Sequence, residues 1–180
     1  MLVGMVLLLL NAATLPRLRA PEEPKLAPRV EGAVWDVFAT ITWEVQMPYI
    51  CPDAASLDGK PAVGTQQCVV LVEHYAQAPA PAREKWKQGA AVRDNPAIAP
   101  GTAIATFING IYPSNPSGNH AALFLAQEDK GPPAGHGLWV VDQYFGSNGI
   151  HKRLLRFKGK HADGNFIDPV NNGDAFSVIE

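Results

Sequence analysis

The chain has 180 residues, 47% of them hydrophobic, which is enough apolar material for a core and excludes wholesale disorder. Fifteen Lys and Arg stand against seventeen Asp and Glu, a balance without the basic excess of a nucleic-acid binder. Sixteen glycines and sixteen prolines call for many turns and argue against a helical bundle, and two cysteines are too few for a disulfide scaffold of this length.

Residues 1–46 read as an N-terminal extension and 47–180 as one domain. Met1 to Leu10 is apolar and followed by small residues, in the manner of a signal peptide. No Lys or Arg precedes the run, however, and it is short. It is far too short for a transmembrane helix, so no stable membrane insertion is expected. Pro16 to Pro28, rich in proline and charge, reads as a linker. Val34 to Val45 is β-branched and aromatic, the composition of a strand or of an added segment. A globular pattern begins at Met47, which is therefore an alternative start.

Asp53 to Gly64 is rich in turn residues and leads into Gly64-Thr65-Gln66-Gln67-Cys68-Val69-Val70-Leu71-Val72. Thr65 is the expected N-cap of a helix over Gln66 to Tyr75, with Val69, Val72 and Ala76 as its buried stripe. Cys68 then sits in the first turn, where unpaired backbone N–H groups and the helix dipole favour a thiolate, the nucleophilic form. The same stretch, taken alone, also describes a small buried thiol. Ala82 to Gly89 suggests a short helix around Trp86, with Gly89 as its stop. Strands are expected over Thr102 to Phe107, Asn119 to Leu125, Leu138 to Gln143, Ile150 to Phe157 and Ala175 to Ile179. Loops separate them at Asn109 to Gly118 and Gln127 to Gly137. A helix followed by a run of strands gives an α+β domain with an antiparallel sheet.

Of five histidines, His74 lies on the turned-away side of the Cys68 helix, and His136, His151 and His161 read as solvent-facing. His120 opens a strand behind Ser117-Gly118-Asn119, from which its ring can project into a cleft against a helix start. A base of this kind needs an orienting partner. Asp142, in the apolar strand Trp139-Val140-Val141-Asp142, is costly to bury unpaired, and a cross-strand His120 would satisfy it. Gln143 alternates with Asp142 and is the reserve third residue. Gln67, with the Cys68 backbone N–H, is a candidate for an oxyanion site, and Asn119 and Gln143 are candidates to line it. No zinc or calcium spacing occurs, so neither metal nor cofactor is expected. The basic run His151 to Lys160 reads as a solvated strand face, with contact to an anionic polymer as the alternative.

Gln67-Cys68-Val69 opening a helix, Asn119-His120-Ala121-Ala122 opening a strand and Val141-Asp142-Gln143 on the next strand resemble, in that order, the papain-like cell-wall hydrolases of the CHAP and NlpC-type group. Within it the chain most resembles a small bacterial family related to type VI secretion amidase effectors. The likeness runs from about Met47 to Glu180. It implies a papain-like α+β domain with an N-terminal catalytic helix packed on an antiparallel sheet. The implied activity is cleavage of amide bonds in peptidoglycan stem peptides through a thioester, with Cys68 as nucleophile, His120 as base and Asp142 as third residue. The place of action would be the periplasm or cell wall, after secretion or delivery. The partners would be the peptidoglycan peptide and, for an antibacterial toxin, an immunity protein, with a monomer as the default state. Two other readings stay open here: a non-catalytic cell-wall binding module on a degenerate papain-like fold, and a secreted protein stabilised by a Cys51–Cys68 disulfide.

Overall fold

Residues 47–128 and 136–180 are described by a computed structural model of the chain. The apolar run at Met1 to Leu10, the linker at Pro16 to Pro28, the strand expected at Val34 to Val45 and residues 129–135 of the second loop lie outside the described residues.

Helix α1 (Cys68–Tyr75) and the single turn α2 (Ala82–Lys85) precede strands β1 (Gln88–Ala91), β2 (Ala103–Thr106), β3 (Ala121–Glu128), β4 (Gly137–Asp142), β5 (His151–Arg156) and β6 (Phe176–Ile179). The strands form one sheet in the order β1-β6-β2-β3-β4-β5, and all its pairings are antiparallel. This is the α+β arrangement expected from the sequence.

Strand residues alternate between two apolar layers, as the pleat requires. Ala103, Ala105, Ala121, Leu123 and Val141 pack with Leu71, Val72 and Ala76 of α1, while Ile104, Ala122, Phe124, Val140 and Phe176 pack on the opposite face. With both faces covered, the central strands read as nearly continuous apolar runs. Each large aliphatic side chain so buried contributes roughly 1.5–3 kcal/mol. The alanines at 103, 105 and 121 keep the sheet thin beneath α1.

Three element boundaries differ from the expectation. The helix starts at Cys68 with Gln67 as its N-cap, so Thr65 does not cap it. The chain turns through left-handed conformations at Gly64 (φ 53°) and Gln66 (φ 65°) and cannot become helical earlier. The buried face is accordingly Leu71, Val72 and Ala76, with Val69 only half-buried. The helix around Trp86 ends at Lys85, because the fully buried Trp86 turns extended and its indole N–H donates to Pro79 O at 2.8 Å. Backbone pairing of Lys87 with Glu180 then draws Gly89 into β1 instead of a helix stop. Finally, β3 begins at Ala121, which leaves Asn119 and His120 at the strand mouth, and it runs on to Glu128.

Candidate active site

The turn before α1 is held from across the sheet. Gln143, just past β4 and fully buried, accepts a hydrogen bond from Val63 N at 2.9 Å. Its amide donates to Val63 O at 3.0 Å and to Gln67 O at 2.9 Å. Gly64 suits the turn doubly: its φ is positive, and a Cβ there would lie 2.6 Å from Val70 Cγ1. These contacts place Cys68 at the first position of α1, where the backbone N–H groups are unpaired within the helix.

His120 is fixed at the mouth of β3 by a reciprocal pair with Thr106: His120 N donates to Thr106 Oγ1 at 2.9 Å, and Thr106 N donates to His120 O at 3.0 Å. Its buried ring meets Phe176 edge-on, with centroids 6.4 Å apart. Asp142 ends β4, the neighbouring strand, and its Oδ2 lies 2.6 Å from His120 Nε2. With Nε2 committed to Asp142, Nδ1 is the nitrogen left for the thiol. The same Asp142 oxygen accepts from Arg153 Nε at 2.6 Å, and Arg153 in turn donates to Asn171 Oδ1 at 2.7 Å.

Tyr112, buried against Trp86 and Phe107, brings its hydroxyl to 3.7 Å from Cys68 Sγ. Asn119 donates its amide N–H to that hydroxyl at 3.0 Å, while its Oδ1 accepts from Asn115 N at 2.8 Å. The amide orientation is therefore set, and the one proton of Tyr112 is available to the sulfur. Burial, then the neighbouring Cys68 charge, hold the phenol well above its ordinary range, so it stays a donor.

Electrostatics point one way. Burial alone would raise the Cys68 thiol, but the hydrogen bond and charge of His120, helped by Tyr112 and the Ala121 N–H, outweigh it and bring the thiol below its ordinary value. Burial would likewise lower His120, but its bonds to Asp142 and Cys68 push it up to about 9. Both shifts favour a thiolate facing an imidazolium, an arrangement suited to nucleophilic attack on a carbonyl. The pair opens onto a cavity of about 400 Å³ that is also lined by Gln67, Tyr112, Asn119 and the exposed Phe145.

Cys68, His120 and Asp142 are thus brought together, and Gln67 and Asn119 line the cleft. Gln143 does not line it: its side chain is consumed by the Val63 and Gln67 backbone. His74, His136 and His161 are exposed, and His151 is half-buried opposite Asp142 on β5. Both cysteines are free, and Cys51 is a buried thiol pushed up by its burial, so the disulfide alternative is not the arrangement found. No cluster of metal-ligating side chains occurs among the described residues.

Two neighbours escaped the sequence reading. Tyr112 was legible only as an aromatic in a polar loop. Arg153 belongs to the run whose pattern reads as a solvated basic face, yet antiparallel pairing of Asp142 with His151 puts residue 153 diagonally beside Asp142, within reach of a long side chain.

The family model described as domesticated amidase effector 2 matches residues 39–179. A type VI secretion amidase effector 2 protein of Salmonella typhi is 41% identical over 141 residues, which is 74% of this chain and 100% of that protein. A solved structure of type 6 secretion amidase effector 2 (Tae2) is 39% identical, with a TM-score of 0.63 over 73% of this chain and 94% of that one. The papain-like α+β fold expected from the sequence is the one this likeness supports.

Proposed function

The chain belongs to the domesticated amidase effector 2 family, and from that premise we propose that it is a cysteine-dependent amidase cleaving amide bonds in peptidoglycan stem peptides. The observation that carries this reading is the cleft-lining Cys68 beside His120, with His120 Nε2 2.6 Å from the buried Asp142 carboxylate. Attack of the Cys68 thiolate on an amide carbonyl forms a C–S bond and moves charge onto the oxygen. The donors at hand for that oxygen are the Cys68 backbone N–H and the Tyr112 hydroxyl. Protonated His120 gives its proton to the departing amine as the C–N bond breaks, leaving a thioester. Neutral His120 then takes a proton from water, whose oxygen attacks the thioester, and sulfur departs as thiolate, restoring the starting pair. Asp142 holds the ring in orientation and supports its charge in both half-reactions.

The relatives are type VI secretion amidase effectors. Delivery to the periplasm of a target cell, and neutralisation by an immunity protein in a producing cell, are the corresponding expectations for this chain. No helix of the described residues is long and apolar enough to cross a membrane.

The test is mass spectrometry of purified peptidoglycan fragments incubated with wild type and with Cys68→Ala. A new amine and carboxylate from the wild type alone supports the amidase and identifies the bond. Fragment binding without cleavage by either protein would favour the cell-wall binding module instead.

A further inference from the structure

Only part of the Arg153 guanidinium is engaged by Asp142. Nε goes to Asp142 at 2.6 Å, Nη1 to Asn171 Oδ1 at 2.7 Å, and Nη2 reaches Val170 O at 3.4 Å. A guanidinium carries five N–H donors in a fixed fork, so one on each terminal nitrogen lies outside these contacts. The side chain is 27% exposed and lines a second cavity of about 430 Å³, together with Ser117, Asn119, His120, Tyr144 and Asn171. Asn119, His120 and Tyr144 also line the cavity that holds Cys68, so the two cavities meet at that ridge.

Charge gives the second cavity a direction. None of the residues lining either cavity is Asp or Glu, and Arg153 is their one permanent cation. The Asp142 charge is shared with the His120 imidazolium, which in turn faces the Cys68 thiolate. Asp168, behind Asn171, is itself paired with Lys158 at 2.6 Å. Among the described residues lining the cavity, the exposed part of the guanidinium therefore meets no anion, beside the place where the peptide must lie. Stem peptides carry free carboxylates near their amide bonds, and a carboxylate fits a guanidinium fork.

We propose that this second cavity is a substrate subsite in which the terminal nitrogens of Arg153 bind a carboxylate of the peptide flanking the cleaved bond. The proposal rests on the amidase reading above and extends it to a specificity determinant. Arg153 then has two jobs, positioning Asp142 through Nε and binding substrate through Nη1 and Nη2.

The test uses paired peptidoglycan fragments that differ only in whether a flanking carboxylate is free or amidated. Values of kcat/KM are compared for wild type, Arg153→Lys and Arg153→Gln. Wild type should favour the free carboxylate by about 10–100-fold, the worth of a charge-assisted hydrogen bond. Arg153→Gln should slow both fragments, because Asp142 loses its partner, and should also bring the ratio to within about 2-fold. Arg153→Lys should retain an intermediate preference. A wild-type ratio near one would overturn the subsite whatever the variants do. So would an Arg153→Gln variant that slows both fragments equally and keeps the wild-type ratio, for that is the result of positioning alone. If wild type cleaves neither fragment, the amidase reading fails and the subsite fails with it.

Discussion

Arg153 and His120 hold the same atom: Nε of one and Nε2 of the other each lie 2.6 Å from Oδ2 of Asp142. Asp142 is completely buried, and its second oxygen has no hydrogen-bond partner among the described residues. Its negative charge is thus sustained inside the protein by two cations on one side. Removing either would leave a charge without its partner in a low-dielectric setting.

Asp142→Asn keeps the shape and removes the charge. It should lower kcat by about 10³-fold, because the imidazolium loses its support. It should also cost about 3 kcal/mol of stability, because Arg153 is left half-buried without its carboxylate. Steady-state kinetics together with urea denaturation would check both effects. An unaltered kcat would remove Asp142 from the mechanism.

The pH profile follows from the pair. Attack needs Cys68 ionised and His120 protonated, so activity should rise through the lowered thiol pKa and fall as pH passes through about 9. Stability should show the same upper limb. His120 binds its proton more tightly folded than unfolded, so its contribution is full below the ordinary value of 6.5 and is lost as pH rises through about 9. A fall in activity already complete by pH 8 would contradict this assignment.

Tyr112→Phe retains the ring that packs on Trp86 and deletes only the hydroxyl near Cys68. A reduction of kcat by about 10²-fold is expected, the effect of losing one donor at an oxyanion, with the melting temperature little changed. Equal activity in the variant would mean that the hydroxyl serves the resting thiolate or the fold alone.

Gln143→Leu strips three part-buried hydrogen bonds from the turn ahead of Cys68 and leaves the Val63 and Gln67 backbone groups without them. The cost should be about 1–3 kcal/mol in global stability. Hydrogen exchange at residues 63–67 should accelerate more than at β3. Uniform acceleration across the sheet would argue that Gln143 supports the core in general and not this turn.

Much of the fold was readable because its signals are local. The apolar runs at Thr102 to Phe107, Leu138 to Gln143 and Ala175 to Ile179 each contain a strand of one sheet. Cys68 at a helix start, His120 at a strand mouth and Asp142 in an apolar strand were marked by the oddity of their settings. What could not be read depended on distant partners. The cap moved from Thr65 to Gln67 because a side chain some 80 residues away fixes the preceding turn. Gly89 entered a strand because Lys87 pairs with Glu180 at the far end of the chain. Tyr112 acquires its place through Asn119, whose orientation depends on a loop amide. Arg153 looked like one more surface cation until strand register set it beside Asp142.

The central claim is that Cys68 rests as a thiolate against His120, and the rate of its alkylation as a function of pH measures this directly. Iodoacetamide labelling of the Cys68 peptide, quantified by mass spectrometry with the buried Cys51 as an internal control, should stay fast in wild type at pH values below the roughly 8.5 at which a free thiol ionises. In His120→Ala it should become slow there and rise only near that free-thiol pKa. Labelling of wild-type Cys68 that follows a free-thiol curve, unchanged by loss of His120, would contradict the ion pair and the nucleophilic role built on it.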